Sequence, residues 1–254
     1  DQAFQEVALQ GHAVRLCLDR AGLVGGDGAV HHGFCDLSML RVFPGAALTA
    51  AIDEPSLRAA MEFMRTYDAG LSAVRYPRDD VSDRFAADCP PFELGRARPL
   101  ITHDAPDLAI LGYGVMAIEA AAAIDRLEGE YKIDLYDARF AKPVDLDLIR
   151  ALVDRNVPIL TVEDHGLEAG FGSCVTDACL DAGIDPRRIT RLGIPGRWIY
   201  QASRRAQLEE CGLDAASIAR TVRTILDGHA TIETTAPAAR VNERTTAESV
   251  NRAP

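Results

Sequence analysis

A glycine-rich segment near the start of the chain, residues 19–33, contains the side chains best suited to chemistry. Five of its residues are glycine, and among them lie Arg20, Asp27 and His31. Glycine allows the backbone to adopt positive φ angles and to approach a ligand closely. The apolar run that precedes the segment, residues 13–18, predicts a buried strand. Since open α/β sheets bind ligands beyond the carboxyl ends of their strands, we predict an active-site loop here.

Asp27 and His31 are four residues apart in this loop, close enough to converge. A carboxylate beside an imidazole can fix its tautomer and raise its proton affinity, which suits general acid–base catalysis. The alternative is a surface loop whose polar residues face water. The adjacent His31 and His32 also suggest a metal, but in extended backbone they would point to opposite sides and only Asp27 is near. We therefore predict an acid–base pair and no metal site.

Two arginines follow predicted strands of the same half of the chain. Arg20 follows the first strand, and Arg78 ends the segment 72–78, which Pro77 terminates. The forked guanidinium group matches phosphate geometry well, so the pair is interpreted as an anion site. Two surface arginines with ordinary partners are the alternative. Arg75 is left out of the site, because the Tyr-Pro step that follows it gives it a different orientation from Arg78.

Two further polar segments also follow predicted strands. Residues 163–165, Glu-Asp-His, precede a Gly-Phe-Gly-Ser sequence whose last residue, Ser173, is predicted to cap the next helix. An anion bound at that helix N-terminus is the alternative. Residues 139–143 are interpreted as either an interface or a surface loop.

Composition excludes several classes of partner and site. A net charge of −11 argues against nucleic acid or an anionic membrane surface, because phosphate groups require clustered Lys and Arg. No run approaches the roughly 18 apolar residues that a membrane-spanning helix needs. The six cysteines form neither a Cys-x-x-Cys pair nor a regular framework, so we expect buried, reduced thiols and a cytoplasmic protein.

The hydrophobic pattern predicts alternating strands and helices. Predicted strands are residues 13–18, 46–51, 72–78, 108–111, 133–136, 159–162 and 189–192. Predicted helices are residues 2–11, 36–43, 53–67, 115–127, 146–155, 173–182, 204–211 and 215–227. This alternation is typical of an α/β fold with parallel sheets covered by helices on both faces.

We therefore predict two parallel-sheet αβα domains, the first truncated at its N-terminus because the chain begins inside a helix. The first covers residues 1–90 and the second covers residues 91–228, with the boundary in a proline-interrupted stretch. A truncated sheet would leave apolar edges exposed, so we expect faster backbone exchange in residues 1–90. Residues 229–254 contain few large apolar side chains, which predicts a disordered tail.

The loop and several later motifs together resemble one enzyme family. After residues 19–33 the matching segments are Asp-Leu-Ser-Met-Leu at 36–40, Asp-Glu at 53–54, Ser-Ala-Val-Arg-Tyr-Pro-Arg at 72–78, Tyr-Asp-Ala-Arg-Phe-Ala-Lys-Pro at 136–143, Thr-Val-Glu-Asp at 161–164 and Gly-Phe-Gly-Ser at 170–173. In this order they resemble the 1-deoxy-D-xylulose-5-phosphate synthases over about residues 1–227. The resemblance is to part of the pyrimidine-binding domain and the whole last, transketolase-C-like domain.

The resemblance implies a reaction and a role for each of four residues. The family condenses pyruvate with glyceraldehyde 3-phosphate, using thiamine diphosphate and Mg²⁺, releases CO₂ and works as a homodimer; the product feeds isoprenoid and thiamine biosynthesis. Arg20 and Arg78 match positions that hold the phosphate of the aldehyde substrate. Asp27 and His31 match catalytic positions that face the reacting end of the substrate.

The sequence also departs from the family pattern. The family's diphosphate-binding domain and the glutamate that activates the cofactor have no counterpart here. In thiamine diphosphate enzymes, a Gly-Asp-Gly sequence is followed within the same motif by an asparagine, and the Asp and Asn side chains hold Mg²⁺. The Gly-Asp-Gly at 26–28 is not that motif, because the first asparagine in the chain is Asn156. We therefore assign no cofactor-binding residue and expect a fragment that is inactive alone.

Two alternatives stay open at this point. One is another member of the same superfamily, such as a transketolase or the β subunit of a 2-oxo acid dehydrogenase. The other is a non-catalytic module that serves dimerisation or regulation.

Overall fold

The computed structural model describes residues 1–87 and 89–228, which form two β-sheets with helices packed against them. The expected disordered tail, residues 229–254, lies outside the described residues. The strands are β1 (Arg15–Leu18), β2 (Ala47–Ala50), β3 (Ser72–Arg75), β4 (Arg98–Ile101), β5 (Leu108–Tyr113), β6 (Ile133–Asp137), β7 (Phe140–Lys142), β8 (Ile159–Gly166) and β9 (Ile189–Ile194). The helices are α1 (Asp36–Leu40), α2 (Glu54–Thr66), α3 (Met116–Arg126), α4 (Leu146–Asp154), α5 (Phe171–Asp181), α6 (Arg204–Cys211) and α7 (Ala215–Leu226).

The first sheet has the strand order β1-β3-β2-β7. Its first three strands are parallel, as predicted, and both β1 and β2 pair with the central β3. The fourth strand comes from the second half of the chain and runs antiparallel, with Leu48 opposite Lys142 and Thr49 opposite Phe140. Residues 139–143 therefore form an interface between the two halves. The expectation that the first sheet presents bare edges is wrong for the β2 edge, because β7 covers it.

The second sheet has the order β4-β6-β5-β8-β9, and all its pairings are parallel except that of the edge strand β4. Side chains alternate along the central β5: Leu108 and Ile110 pack in one core with α3 and α7, while Ala109 and Leu111 pack in another with α5. A strand buried on both faces has no polar face, which explains its unbroken apolar sequence. The predicted α/β class with two αβα units is confirmed, with one antiparallel edge strand in each sheet.

Local sequence signals set several helix ends. The Asp53 carboxylate accepts from the Ser56 backbone N–H at 2.8 Å, and the Ser56 hydroxyl contacts the Asp53 N–H in return at 3.1 Å. This capping box, with Pro55 in the first turn, starts α2 as predicted. The predicted helix at residues 2–11 is instead a π-helical segment, Gln2–Ala8, without a fully buried residue. Helix α1 is shorter than predicted, because it ends at Leu40. Among the described helices, none is both long and apolar enough to cross a membrane.

The pairing of β7 with β2 predicts where backbone exchange is fast in the first sheet. We expect the amides of β2 and β3 to exchange as slowly as those of β5, because both strands are paired on each side. Amides of β1 should exchange faster, since within the described residues β1 pairs only with β3. Hydrogen–deuterium exchange read by mass spectrometry on peptides measures this. Rapid exchange throughout the first sheet, β2 included, would show that β7 does not hold its edge in solution.

Candidate functional site

The glycine-rich loop is closed at its base by backbone hydrogen bonds. Gly22 and Gly33 exchange two such bonds, of 2.8 and 2.9 Å, and the Ala21 N–H donates to the Tyr76 carbonyl at 3.0 Å. Gly33 has no room for a side chain, because an added Cβ would lie 2.5 Å from the carbonyl oxygen of Arg20. Arg20 itself adopts a positive φ of 56°, a conformation that is costly for a residue with a side chain and that clusters at functional sites. The fold thus places the ends of β1 and β3 side by side.

Asp27 lies where the two predicted anion-binding arginines meet. Its Oδ2 atom is 3.3 Å from Nη1 of Arg78 and 3.7 Å from Nε of Arg20. All three side chains are partly exposed, with relative accessibilities of 58% for Arg78, 46% for Arg20 and 32% for Asp27. The structure therefore brings together two cations from different strand ends around one carboxylate that solvent can reach.

His31 contacts the main chain of Asp27 instead of its carboxylate. Its Nδ1 atom is 3.2 Å from the Asp27 carbonyl oxygen. A carbonyl oxygen can only accept, so Nδ1 is the donor of this hydrogen bond. The imidazole is exposed. The expected pairing of an imidazole with the Asp27 carboxylate is not what the structure shows, since that carboxylate turns to the arginines.

The neighbouring His32 holds the loop in place. Its Nδ1 atom accepts from the Val24 N–H at 3.2 Å, and its Nε2 atom donates to the Ile199 carbonyl at 3.1 Å. Both ring nitrogens are used by the main chain, which leaves none for a metal or a substrate. His32 also lines a cavity of about 910 Å³ walled mainly by residues 194–200. None of Arg20, Asp27, His31 and Arg78 lines that cavity, so we place the candidate site at the arginine pair and not in this cavity.

Arg75, left out of the predicted site, is the buried cation that supports the loop. It is 3% exposed, and its guanidinium donates to Asp36 Oδ2 at 2.9 Å, to the Gly33 carbonyl at 2.8 Å and to the Asp164 carbonyl at 3.1 Å. The Cζ atom of the guanidinium group also lies over the ring of Tyr113, 5.8 Å from the ring centroid. The sequence signal that could have found it is an arginine within an otherwise apolar strand, which is rarely buried without partners.

The N-terminus of α5 is occupied by a carboxylate from the chain itself. Glu163 accepts from the backbone N–H groups of Phe171 and Gly172, at 2.5 and 2.8 Å. The prediction that Ser173 caps this helix is wrong: Gly170 is the N-cap, and the Ser173 hydroxyl donates to the Leu167 carbonyl. Burial outweighs the two N–H bonds and raises the pKa of Glu163 to about 7. The helix N-terminus is therefore a structural contact.

His165 shares this buried region and is held neutral. Its Nδ1 atom donates to the Gly166 carbonyl at 2.8 Å, and its Nε2 atom accepts from the Leu37 N–H at 3.2 Å. Burial, with the nearby Arg75 guanidinium, lowers the pKa of His165 to about 4. The imidazole thus links α1 to the end of β8 without carrying charge at neutral pH.

The donor set favours an anion over a metal ion. Within residues 1–87 and 89–228, no group of three or more His, Cys, Asp or Glu side chains is arranged to hold a metal.

The six cysteines are all free, but only Cys174 and Cys179 are buried, and Cys17 is exposed. The expectation of buried thiols is therefore wrong for the other four.

Comparison with known proteins identifies the two halves. Residues 1–83 match the model of the transketolase pyrimidine binding domain, and residues 97–218 match that of the transketolase C-terminal domain. The chain is 39% identical to 1-deoxy-D-xylulose-5-phosphate synthase of Gloeobacter violaceus, over 89% of this chain and 35% of the relative. It is 34% identical to the synthase of Rhodopirellula baltica, over 88% of this chain and 34% of the relative. The chain thus spans about a third of the length of these relatives.

Solved structures give the same fold. A "split gene transketolase, inactive beta4 tetramer" superposes with a TM-score of 0.78 at 25% identity, covering 89% of this chain and 71% of that chain. A transketolase of Pichia stipitis superposes with a TM-score of 0.68 at 16% identity, over 87% of this chain and 31% of that one. The second likeness is one of fold alone.

The chain belongs to the transketolase family, since the two matched models are both transketolase domains and together account for most of its length. Within that family its sequence is similar to the 1-deoxy-D-xylulose-5-phosphate synthases. The resemblance seen in the loop motifs is thus confirmed.

Replacing Glu163 by Gln should change how stability depends on pH. In the folded state the pKa of Glu163 is about 7, above its ordinary value of 4.5, so folding favours the protonated carboxyl. The contribution of Glu163 to stability is therefore largest below pH 4.5 and is lost as the pH rises to about 7. Relative to Glu163→Gln, the wild type should lose up to about 3 kcal/mol of unfolding free energy across that range.

Urea denaturation at a series of pH values measures this difference. Glu168→Gln removes an exposed carboxylate from the same segment and serves as the matched control. Parallel pH profiles for the wild type and Glu163→Gln would contradict the prediction.

Proposed function

We propose that this chain provides the aldehyde-binding part of a thiamine-diphosphate-dependent active site of the 1-deoxy-D-xylulose-5-phosphate synthase type. The complete reaction joins pyruvate to D-glyceraldehyde 3-phosphate and releases CO₂. The observation that carries the proposal is the convergence of Arg20 and Arg78 on the Asp27 carboxylate, with the exposed His31 imidazole on the carbonyl of the same residue. Sequence similarity to the synthases supports the choice of reaction.

The arginine pair suits the phosphate of a triose. A phosphate group offers two negative charges and three acceptor oxygens, whereas the Asp27 carboxylate offers one charge and two oxygens. Phosphate should therefore compete for the point where both guanidinium groups reach. The displaced carboxylate is then free to accept a hydrogen bond from a substrate hydroxyl. Arg20 and Arg78 thus have the role of substrate-binding residues, and Asp27 that of orienting the bound aldehyde.

His31 has the chemistry of a proton shuttle. Because Nδ1 donates to the Asp27 carbonyl, Nε2 is the ring nitrogen left for a substrate, and the imidazole is exposed. A neutral imidazole in this tautomer can accept a proton and return it to an alkoxide, which suits carbon–carbon bond formation with an aldehyde. The phosphate of the same aldehyde would be held by the arginines close by.

Among the described residues, no group of three or more His, Cys, Asp or Glu side chains could hold the cofactor's Mg²⁺. We therefore propose that the main binding residues of thiamine diphosphate lie outside this chain, which is then inactive alone. We further propose a division into residues 1–90 and 91–228, and assembly as a homodimer. The two transketolase domain models, which match residues 1–83 and 97–218, support that division.

A second candidate is the β chain of a transketolase encoded by a split gene. The similar solved structure of that kind is an inactive tetramer of β chains, and this chain covers 71% of its length. In that case the donor substrate would be a ketose phosphate instead of pyruvate. The arginine pair would still bind a phosphorylated aldehyde, so the donor substrate distinguishes the two candidates.

Removing either arginine of the pair should weaken the binding of D-glyceraldehyde 3-phosphate to the chain. Charge-assisted hydrogen bonds are worth about 1.5–3 kcal/mol, so Arg20→Gln and Arg78→Gln should each raise the dissociation constant roughly ten- to hundredfold. Isothermal titration calorimetry on the chain measures the change. Arg187→Gln, which removes an exposed arginine that pairs with Asp185, is the control and should bind as the wild type does. Equal affinities for all four proteins would refute the proposed phosphate site.

The chain on its own should bind thiamine diphosphate weakly or not at all, with or without Mg²⁺. The reason is the lack of a metal-binding donor set among the described residues. Calorimetric titration with the cofactor, repeated in EDTA, measures this. Tight binding that disappears with EDTA would contradict the proposal that the cofactor site lies elsewhere.

A further inference from the structure

Arg204, at the start of α6, joins three segments that meet at the candidate site. Its Nε donates to the Leu23 carbonyl at 3.0 Å, its Nη1 to Asp79 Oδ2 at 2.7 Å and its Nη2 to Asp164 Oδ2 at 2.6 Å. The side chain is only 12% exposed. Leu23 lies in the glycine-rich loop, and Asp79 follows the phosphate-binding Arg78 directly. One guanidinium group therefore links the loop that follows Arg20 to the segment that carries Arg78.

The ion pair of Arg204 with Asp164 holds both polar groups of one peptide residue. Asp164 Oδ1 accepts from the Leu23 N–H at 3.1 Å, while Arg204 donates to the Leu23 carbonyl. Gly22 makes this approach possible, since an added Cβ there would lie 2.0 Å from Cγ of Asp164. The pair thus fixes the main chain at the entrance of the loop, three residues after Arg20.

Gln207, one turn further along α6, also bonds to both main-chain polar groups of one loop residue. Its Oε1 accepts from the Gly25 N–H at 2.9 Å, and its Nε2 donates to the Gly25 carbonyl at 3.1 Å. Residues three apart lie on the same face of a helix, so Arg204 and Gln207 present one surface to the loop. Asp27 lies two residues after Gly25 in the loop, and His31 follows it four residues later.

We propose that Arg204 is a positioning residue that sets the separation of the two phosphate-binding arginines. This inference rests on the proposed phosphate site. Arg20 is held at a positive φ angle, a conformation that persists only where the surroundings over-determine it. The Asp164–Arg204 clamp on Leu23 supplies that constraint on one side, and the Asp79 contact restrains Arg78 on the other. A planar fork can serve three acceptors in fixed directions at once, and a lysine ammonium cannot replace it.

Three variants of the full chain test the inference by calorimetric titration with D-glyceraldehyde 3-phosphate. Arg204→Gln should raise the dissociation constant ~10-fold, and Arg204→Lys should not restore it. Asp79→Asn should weaken binding by about threefold, although it removes a negative charge beside Arg78. Simple electrostatics predicts the opposite sign for that variant, which separates positioning from charge. Because Asp79 is partly exposed, its substitution also keeps the test valid if the Arg204 variants fold poorly.

The matched control is Arg205→Gln, the next residue of α6, whose exposed side chain pairs with Glu209. It should bind as the wild type does, and it should leave hydrogen exchange of Leu23 and Gly25 unchanged, whereas Arg204→Gln should speed that exchange. Wild-type affinity in Arg204→Lys, or tighter binding in Asp79→Asn, would overturn the positioning role while Arg78→Gln still loses binding. If Arg20→Gln and Arg78→Gln also bind normally, the proposed phosphate site falls and this inference falls with it.

Discussion

The buried guanidinium group of Arg75 is the constraint on which the rest of the site depends. A charge taken out of water must be matched by acceptors, and removing one partner leaves an uncompensated charge that costs several kcal/mol. Arg75 finds its acceptors on three segments: Asp36 at the start of α1, the Gly33 carbonyl at the end of the loop and the Asp164 carbonyl on β8. These contacts come from both halves of the chain. The two sheets are therefore joined through the hydrogen bond of the buried Arg75 guanidinium to the Asp164 carbonyl as well as through the β2–β7 pairing.

This junction decides which sheet edge is free to bind a ligand. In an open α/β sheet the usual site is the crevice beyond the carboxyl ends of the central strands. In the second sheet that edge is covered: Tyr113 at the end of β5 faces Arg75, and the N-terminus of α5 is taken by Glu163. In the first sheet the corresponding edge carries the glycine-rich loop and stays open. The second half thus supports the loop, through Asp164 and α6, while the first half presents the side chains of the candidate site.

Sequence patterns were sufficient for most of the secondary structure and for the composition of the candidate site. Strands β5 and β8 and helices α2 and α7 follow directly from apolar runs, periodicity and caps, because these depend on neighbours along the chain. The patterns failed where a distant partner decides. Strand β7 forms because β2 offers an unpaired edge. Ser173 does not cap α5 because the helix begins two residues earlier, at Phe171, where Glu163 accepts from the first N–H groups. Arg75 was passed over since its acceptors lie in three separate segments.

By itself the sequence determined the family and the α/β class, and it predicted the four residues of the candidate site, because glycine spacing, residue type and hydrophobic pattern are local properties of the chain. Only the tertiary structure decided how those residues are used. In the fold the Asp27 carboxylate contacts the arginines, and the Asp27 carbonyl contacts His31. The ring of His32 bonds to the main chain instead of facing a ligand. The fold also recruited Arg204 and Gln207 from the far end of the chain to hold the loop. The physical reason is that hydrogen-bond partners of buried or strained groups are chosen by proximity in the fold, which no spacing along the sequence encodes.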